Sequence, residues 1–129
     1  MRRVFAVIIA LVTGANGVAM LVDPAGWFTR VPGAVATGPF NSHFVLDVGI
    51  AFVVAGGAFA ALAWRRRLRP AAMTGAAFLA LHGALHLWEI AQGHSDHALF
   101  EFVLAVAPAA VAVQEGDMAP RGYVDRSAI

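Results

Sequence analysis

The stretch FVLDVGIAFVVAGGAFAALAW, residues 44–64, decides the fold. It runs 21 residues with a single charge, Asp47. A helix of about 20 residues covers the roughly 30 Å of hydrocarbon in a bilayer. The stretch is too long and too rich in alanine and leucine for a strand. In lipid, a segment that must satisfy its own backbone does so as a helix. RRRLRP, residues 65–70, follows directly and reads as a tight basic hairpin of Arg65, Arg66, Arg67, Arg69 and Pro70.

Working outward, the same test finds three more spans. Residues 4–22 carry no charge, residues 71–91 carry His82, His86 and Glu89, and residues 97–114 carry Glu101. The expected fold is all-α: a four-helix transmembrane bundle forming one domain over residues 1–114, with spans at 4–22, 44–64, 71–91 and 97–114. Residues 115–129 are polar, contain glycine and proline, and read as a disordered tail. Composition agrees, with 60% hydrophobic residues, 13% charged and a mean hydropathy of +0.71. A soluble domain carries about a quarter charged residues, so this chain cannot cover a globule with a wetted surface.

The charges set an orientation. All nine basic residues are arginine. Arg2 and Arg3 precede the first span, the hairpin holds four more, and Arg121 and Arg126 follow the last span. The other two loops hold only Arg30. By the positive-inside rule, both termini and the hairpin face the cytoplasm of a bacterial inner membrane. The loop at 23–43, punctuated by Pro24, Pro32 and Pro39, then faces outward, with Trp27 and Phe28 anchoring it at the headgroups. So does the turn GHSDH, residues 93–97, where Gly93 suits a helix end and Ser95 or Asp96 the next N-cap. A cleaved signal peptide ending near Ala15 and Gly17 is the alternative for the first span. Apolarity continues past Gly17, which favours a retained helix.

The absence of cysteine excludes disulfides, thiolate metal sites and cysteine nucleophiles. A net charge of +1 gives no basis for a nucleic-acid partner. Small residues let helices approach closely in lipid. Gly14 and Gly17, then Gly49, Gly56 and Gly57, then Ala76, Ala80 and Ala84 at spacing four are the candidate contacts. No glycine-rich nucleotide motif is present.

The polar residues of the spans collect toward the outer side. His43 and Asp47 are i,i+4 neighbours, as are His82 and His86, and His97 and Glu101. Glu89 lies within about 20° of His82 around its helix, so 82, 86 and 89 form one stripe that can face the bundle. Asn16 lies at a similar depth in the first span. A charge at the bilayer centre costs about 2.5 to 3.5 kcal/mol or more, so Asp47, Glu89 and Glu101 need protonation, histidinium partners or a bound cation.

Imidazole and carboxylate together suit a divalent ion such as zinc, iron, manganese or copper(II), whereas few methionines and no thiolate disfavour copper(I). The expected metal ligands are His43, Asp47, His82 and His86, with His97 and Glu101 close behind. His94 reads as solvated. Three other readings stay open: a proton-sharing network without metal, a haem or quinone site with His82 as axial ligand, and polar packing with no ligand.

The stretch GPFNSHFVLDVG, residues 38–49, followed by the basic hairpin and by LHGALH, residues 81–86, resembles small bacterial four-helix integral membrane proteins loosely near the DoxX-like group. That resemblance implies the four-helix bundle and no particular chemistry. Ser42, His43, Asp47, His82 and His86 are also similar in type to the residues of intramembrane zinc hydrolases of the ceramidase kind. Those have seven helices and place the serine at a different offset. The paired Glu-x-x-His pattern of ferritin-like di-iron bundles is missing; His86-x-x-Glu89 runs in the reverse order.

Two function classes follow. A metalloenzyme would use metal-bound water as nucleophile, with Glu89 or Glu101 as general base. An accessory subunit would use its small-residue faces to join a homo-oligomer or a larger membrane complex.

Overall fold

The structure, a computed structural model, describes residues 2–93. The expected fourth span at 97–114, the tail at 115–129, and His94, Ser95, Asp96, His97 and Glu101 lie outside the described residues. Within them the chain forms four α-helices: α1 (Arg2–Val22), α2 (Pro24–Arg30), α3 (Ser42–Trp64) and α4 (Arg69–Ala91). Three of these, over Arg3–Val22, Ser42–Trp64 and Arg69–Ala91, are long and apolar enough to cross a membrane. No strand occurs among the described residues.

Each long helix extends beyond the apolar run that announces it. α3 begins at Ser42 because the Asn41 side chain accepts the Phe44 N–H at 3.2 Å, filling the N-cap. It stops at Trp64, where Arg65 turns extended and donates its N–H to the Ala61 carbonyl at 2.8 Å. A single 3-10 turn, Arg66–Leu68, reverses the chain. Pro70 then stands in the first turn of α4, where its missing N–H costs nothing. α4 closes at Gly93, whose φ of +75° is the left-handed conformation that glycine accepts.

The long loop between α1 and α3 is more ordered than its prolines suggest. Asp23 caps α2 by accepting the Gly26 N–H at 2.9 Å, and Pro24 occupies the first turn. A second 3-10 turn, Ala34–Thr37, follows. Phe28 and Phe40 meet with ring centroids 5.4 Å apart, drawing the two ends of the loop together.

α1 and α4 both run antiparallel to α3 and flank it; among the described residues, backbone contact links α3 with each of them and does not link α1 with α4. On α1 the buried positions are Ala6, Ile9, Thr13, Gly17 and Met20, while Phe5, Ile8, Leu11, Val12 and Val18 point outward. The apolar outward face suits lipid, and Gly17 on the inner face lets backbones meet.

A Cβ on Gly17 would stand 2.7 Å from the Gly49 carbonyl oxygen, and one on Gly56 2.7 Å from the Gly14 nitrogen. Gly75 holds α4 against the Ala55 backbone, where a Cβ would meet its Cα at 3.2 Å. Gly57 and Ala84 depart from the expected packing roles. Gly57 has open space where a Cβ would go, and Ala84 is exposed. The seam of α4 runs through Ala72, Gly75, Ala76, Leu79 and Gly83 instead.

Candidate functional site

The seam position Leu79 leads directly to the histidines. Gly75, Leu79, His82, His86 and Glu89 alternate spacings of four and three, so they share one face of α4. His82, His86 and Glu89 are all half-buried, which puts the expected one-sided stripe against the bundle.

At 1.5 Å per residue, His82 lies about 13 Å from the C-terminal end of α4 and His86 about 7 Å from it. Four rings fill the space between α3 and α4 at this depth. Phe78 stacks on His82 with centroids 5.7 Å apart and an interplanar angle of 21°. Phe52 of α3 meets His82 edge-on at 5.2 Å. The same Phe52 carries its Cβ beside Gly17 of α1, so one residue ties the histidine to the close packing of α1 on α3.

The His82 and His86 rings stand nearly perpendicular, 4.7 Å apart between centroids. Their Nε2 atoms converge to 3.2 Å. Without a third group between them, one Nε2–H donates and the other nitrogen accepts. On the far side of the His86 ring, Nδ1 faces a Glu89 carboxylate oxygen at 3.4 Å. The order from the C-terminal end of α4 is therefore carboxylate, imidazole, imidazole.

His43 and Asp47 do form a pair, with Nε2 3.4 Å from the carboxylate oxygen, but apart from this group. At about 100° per residue, Asp47 lies roughly 160° around α3 from Gly49, which packs on α1. The His43 and Asp47 side chains are 86% and 60% exposed, against 28% and 35% for His86 and Glu89. The expected four-residue shell of His43, Asp47, His82 and His86 is thus not assembled. Among the described residues, no three His, Asp or Glu side chains are grouped to hold a metal ion.

Asn16 also has another task. Its side-chain carbonyl accepts the Trp27 indole N–H at 2.9 Å, tying the loop helix α2 to α1.

Phe52 and Phe78 were not legible as site residues. Phe78 had a signal, since it precedes His82 by one helical turn. Phe52 had none, because only the register of α3 against α4 brings it there. No family model, curated protein or solved structure matches this chain.

Proposed function

We propose that the protein is a multi-pass protein of a bacterial inner membrane that binds one divalent transition-metal ion through His82 and His86. The observation that carries this reading is the 3.2 Å separation of the two Nε2 atoms. Two nitrogen ligands at 2.0–2.1 Å from a tetrahedral ion stand about 3.3 Å apart. The pair is therefore already near chelating distance on a helix that fixes both backbones.

Glu89 supports the same reading, because metal-bound histidines donate their other ring N–H to a carboxylate that fixes tautomer and orientation. Its place behind His86 makes Glu89 a positioning residue rather than a general base. Two histidines leave at least two tetrahedral positions to other ligands. His97 and Glu101 remain the candidates that the sequence offers for them. A haem on His82 fits less well, because its Nε2 is turned toward His86 and the ring is packed between Phe52 and Phe78.

The orientation belongs to the same proposal. The N-terminus and the arginine hairpin face the cytoplasm, and the histidines open toward the outer side. Reporter fusions near residue 35 should read outside and near residue 67 inside.

Elemental analysis of the full chain in mild detergent, after zinc loading and desalting, should find about one equivalent, the capacity of one such ligand pair. His82→Ala and His86→Ala should each remove it. A loaded wild-type chain without metal overturns this reading. It then favours the one other arrangement that the 3.2 Å contact supports, a proton-sharing histidine pair.

A further inference from the structure

The end of the bundle opposite the histidines has a composition that the metal reading does not use. Arg2 and Arg3 open α1, Arg65, Arg66 and Arg67 follow α3, and Arg69 opens α4. These are all the arginines of residues 2–93 except Arg30. The acids of the same residues, Asp23, Asp47 and Glu89, all lie at the other end. Ala6 and Leu62 share the buried core, so the start of α1 and the hairpin are brought to the same end of the bundle.

Three observations make this a surface and not only a count. The described ion pairs, Asp23 with Arg30, His43 with Asp47 and His86 with Glu89, all belong to the histidine end. Among the described residues, the hairpin end therefore presents positive charge with no carboxylate beside it. The hairpin is also short and hydrogen-bonded: Leu68 donates its N–H to the Arg65 carbonyl at 2.9 Å, and Pro70 follows at once. Finally, the Arg65 guanidinium lies over the Trp64 ring at 5.1 Å, and Trp64 is 76% exposed. An exposed tryptophan at the end of a spanning helix sits at headgroup depth. It places the Arg65 guanidinium at the level of the lipid phosphates.

We infer that this end is a binding surface for anionic phospholipid, with Arg3, Arg65 and Arg67 meeting the headgroup phosphates. A planar guanidinium matches a phosphate through two parallel hydrogen bonds. Basic residues at a membrane surface gain from the negative potential of anionic lipid, and the gain falls off within a Debye length. The inference stands apart from the histidine site, since none of its residues touches that site.

Native mass spectrometry of the full chain in mild detergent tests it, with phosphatidylglycerol titrated against phosphatidylcholine. The wild-type chain should retain phosphatidylglycerol preferentially, and the preference should shrink as salt rises. Arg65→Gln with Arg67→Gln should weaken retention by about 30-fold, roughly fivefold for each charge removed. Arg30→Gln, at the other end, should leave it unchanged. Arg65→Lys with Arg67→Lys keeps the charge and should recover most of the retention, which separates a charge effect from a folding defect. Excess inorganic phosphate should not displace the lipid. Equal retention of the two lipids, a preference untouched in the double glutamine variant, an equal loss in Arg30→Gln, or displacement by free phosphate would each overturn the inference.

Discussion

α3 meets its two neighbours in different ways. Against α1 it lays backbone on backbone, with Gly17 on Gly49 and Gly56 on Gly14. Against α4, Gly75 rests on Ala55, about midway along α3. Farther out the separation is filled by rings, Phe52 and Phe78 and then His82 and His86. A contact as close as glycine on glycine has no volume for a ligand. A site needs a place where two helices part by the width of a ring while something else still holds them. The α1–α3 face supplies such a hold, and the rings of the α3–α4 face part those two helices around His82.

The largest expected effect comes from breaking the first interface. Gly56→Leu puts side-chain atoms where the Gly14 backbone already stands, and backbone cannot move aside as a flexible side chain would. Overpacking of this kind should cost about 3 kcal/mol, read as a lower midpoint in SDS-induced unfolding. Gly57→Leu adds the same atoms one residue along, into open space, and should leave the midpoint nearly unchanged. Equal effects at the two positions would erase the distinction between the faces.

The second interface is sharpened by Glu89. Glu89→Ala removes the carboxylate behind His86 and should weaken zinc binding by about 10- to 100-fold, with little change in the unfolding midpoint of the metal-free chain. Glu89→Gln still offers a carbonyl oxygen to Nδ1–H and should recover part of the loss. Competition titration against a chromophoric chelator measures both. Asp47→Asn, at the exposed pair apart from the α4 histidines, should leave zinc affinity unaltered.

A smaller effect is expected at the loop helix. Trp27→Phe deletes the indole N–H that Asn16 accepts and should cost about 1 kcal/mol, the usual worth of one hydrogen bond. Asn16→Ala in the same background should add little, since both changes remove the same bond.

The smallest effect is one of pH. The Gly26 N–H, and then Arg30, hold the Asp23 carboxyl below its ordinary value of 3.8. A group whose folded pKa is lowered contributes stability that is present above 3.8 and is lost as pH falls through the lowered value. Asp23 is exposed, so the loss should be slight and confined to strongly acid solution. Asp23→Asn should flatten it in an acid unfolding series.

Hydropathy is local, so the three spans of the described residues were legible along with the arginine hairpin and the glycine at the end of α4. The direction in which the side chains of α3 point was not. On a helix apolar all round, i,i+4 spacing pairs His43 with Asp47 correctly but does not tell which face they share. The discriminating pattern was size: Gly49 and Gly56 mark the packed face of α3, and Asp47 lies across the helix from Gly49. On α4 the same rule, read from Gly75 through Leu79, leads straight to His82. α2 was missed because Pro24 was weighed as a breaker, although Asp23-Pro24 is a cap followed by a favourable first residue.

X-ray absorption at the zinc edge of the loaded full chain tests the central claim most directly, that His82 and His86 converge on one ion. The account predicts nitrogen scatterers at about 2.0–2.1 Å with the outer-shell pattern of two imidazoles, reduced to one in either single alanine variant. A chain that takes up no zinc at saturation, or a zinc shell whose imidazole signal survives His82→Ala and His86→Ala together, would contradict it.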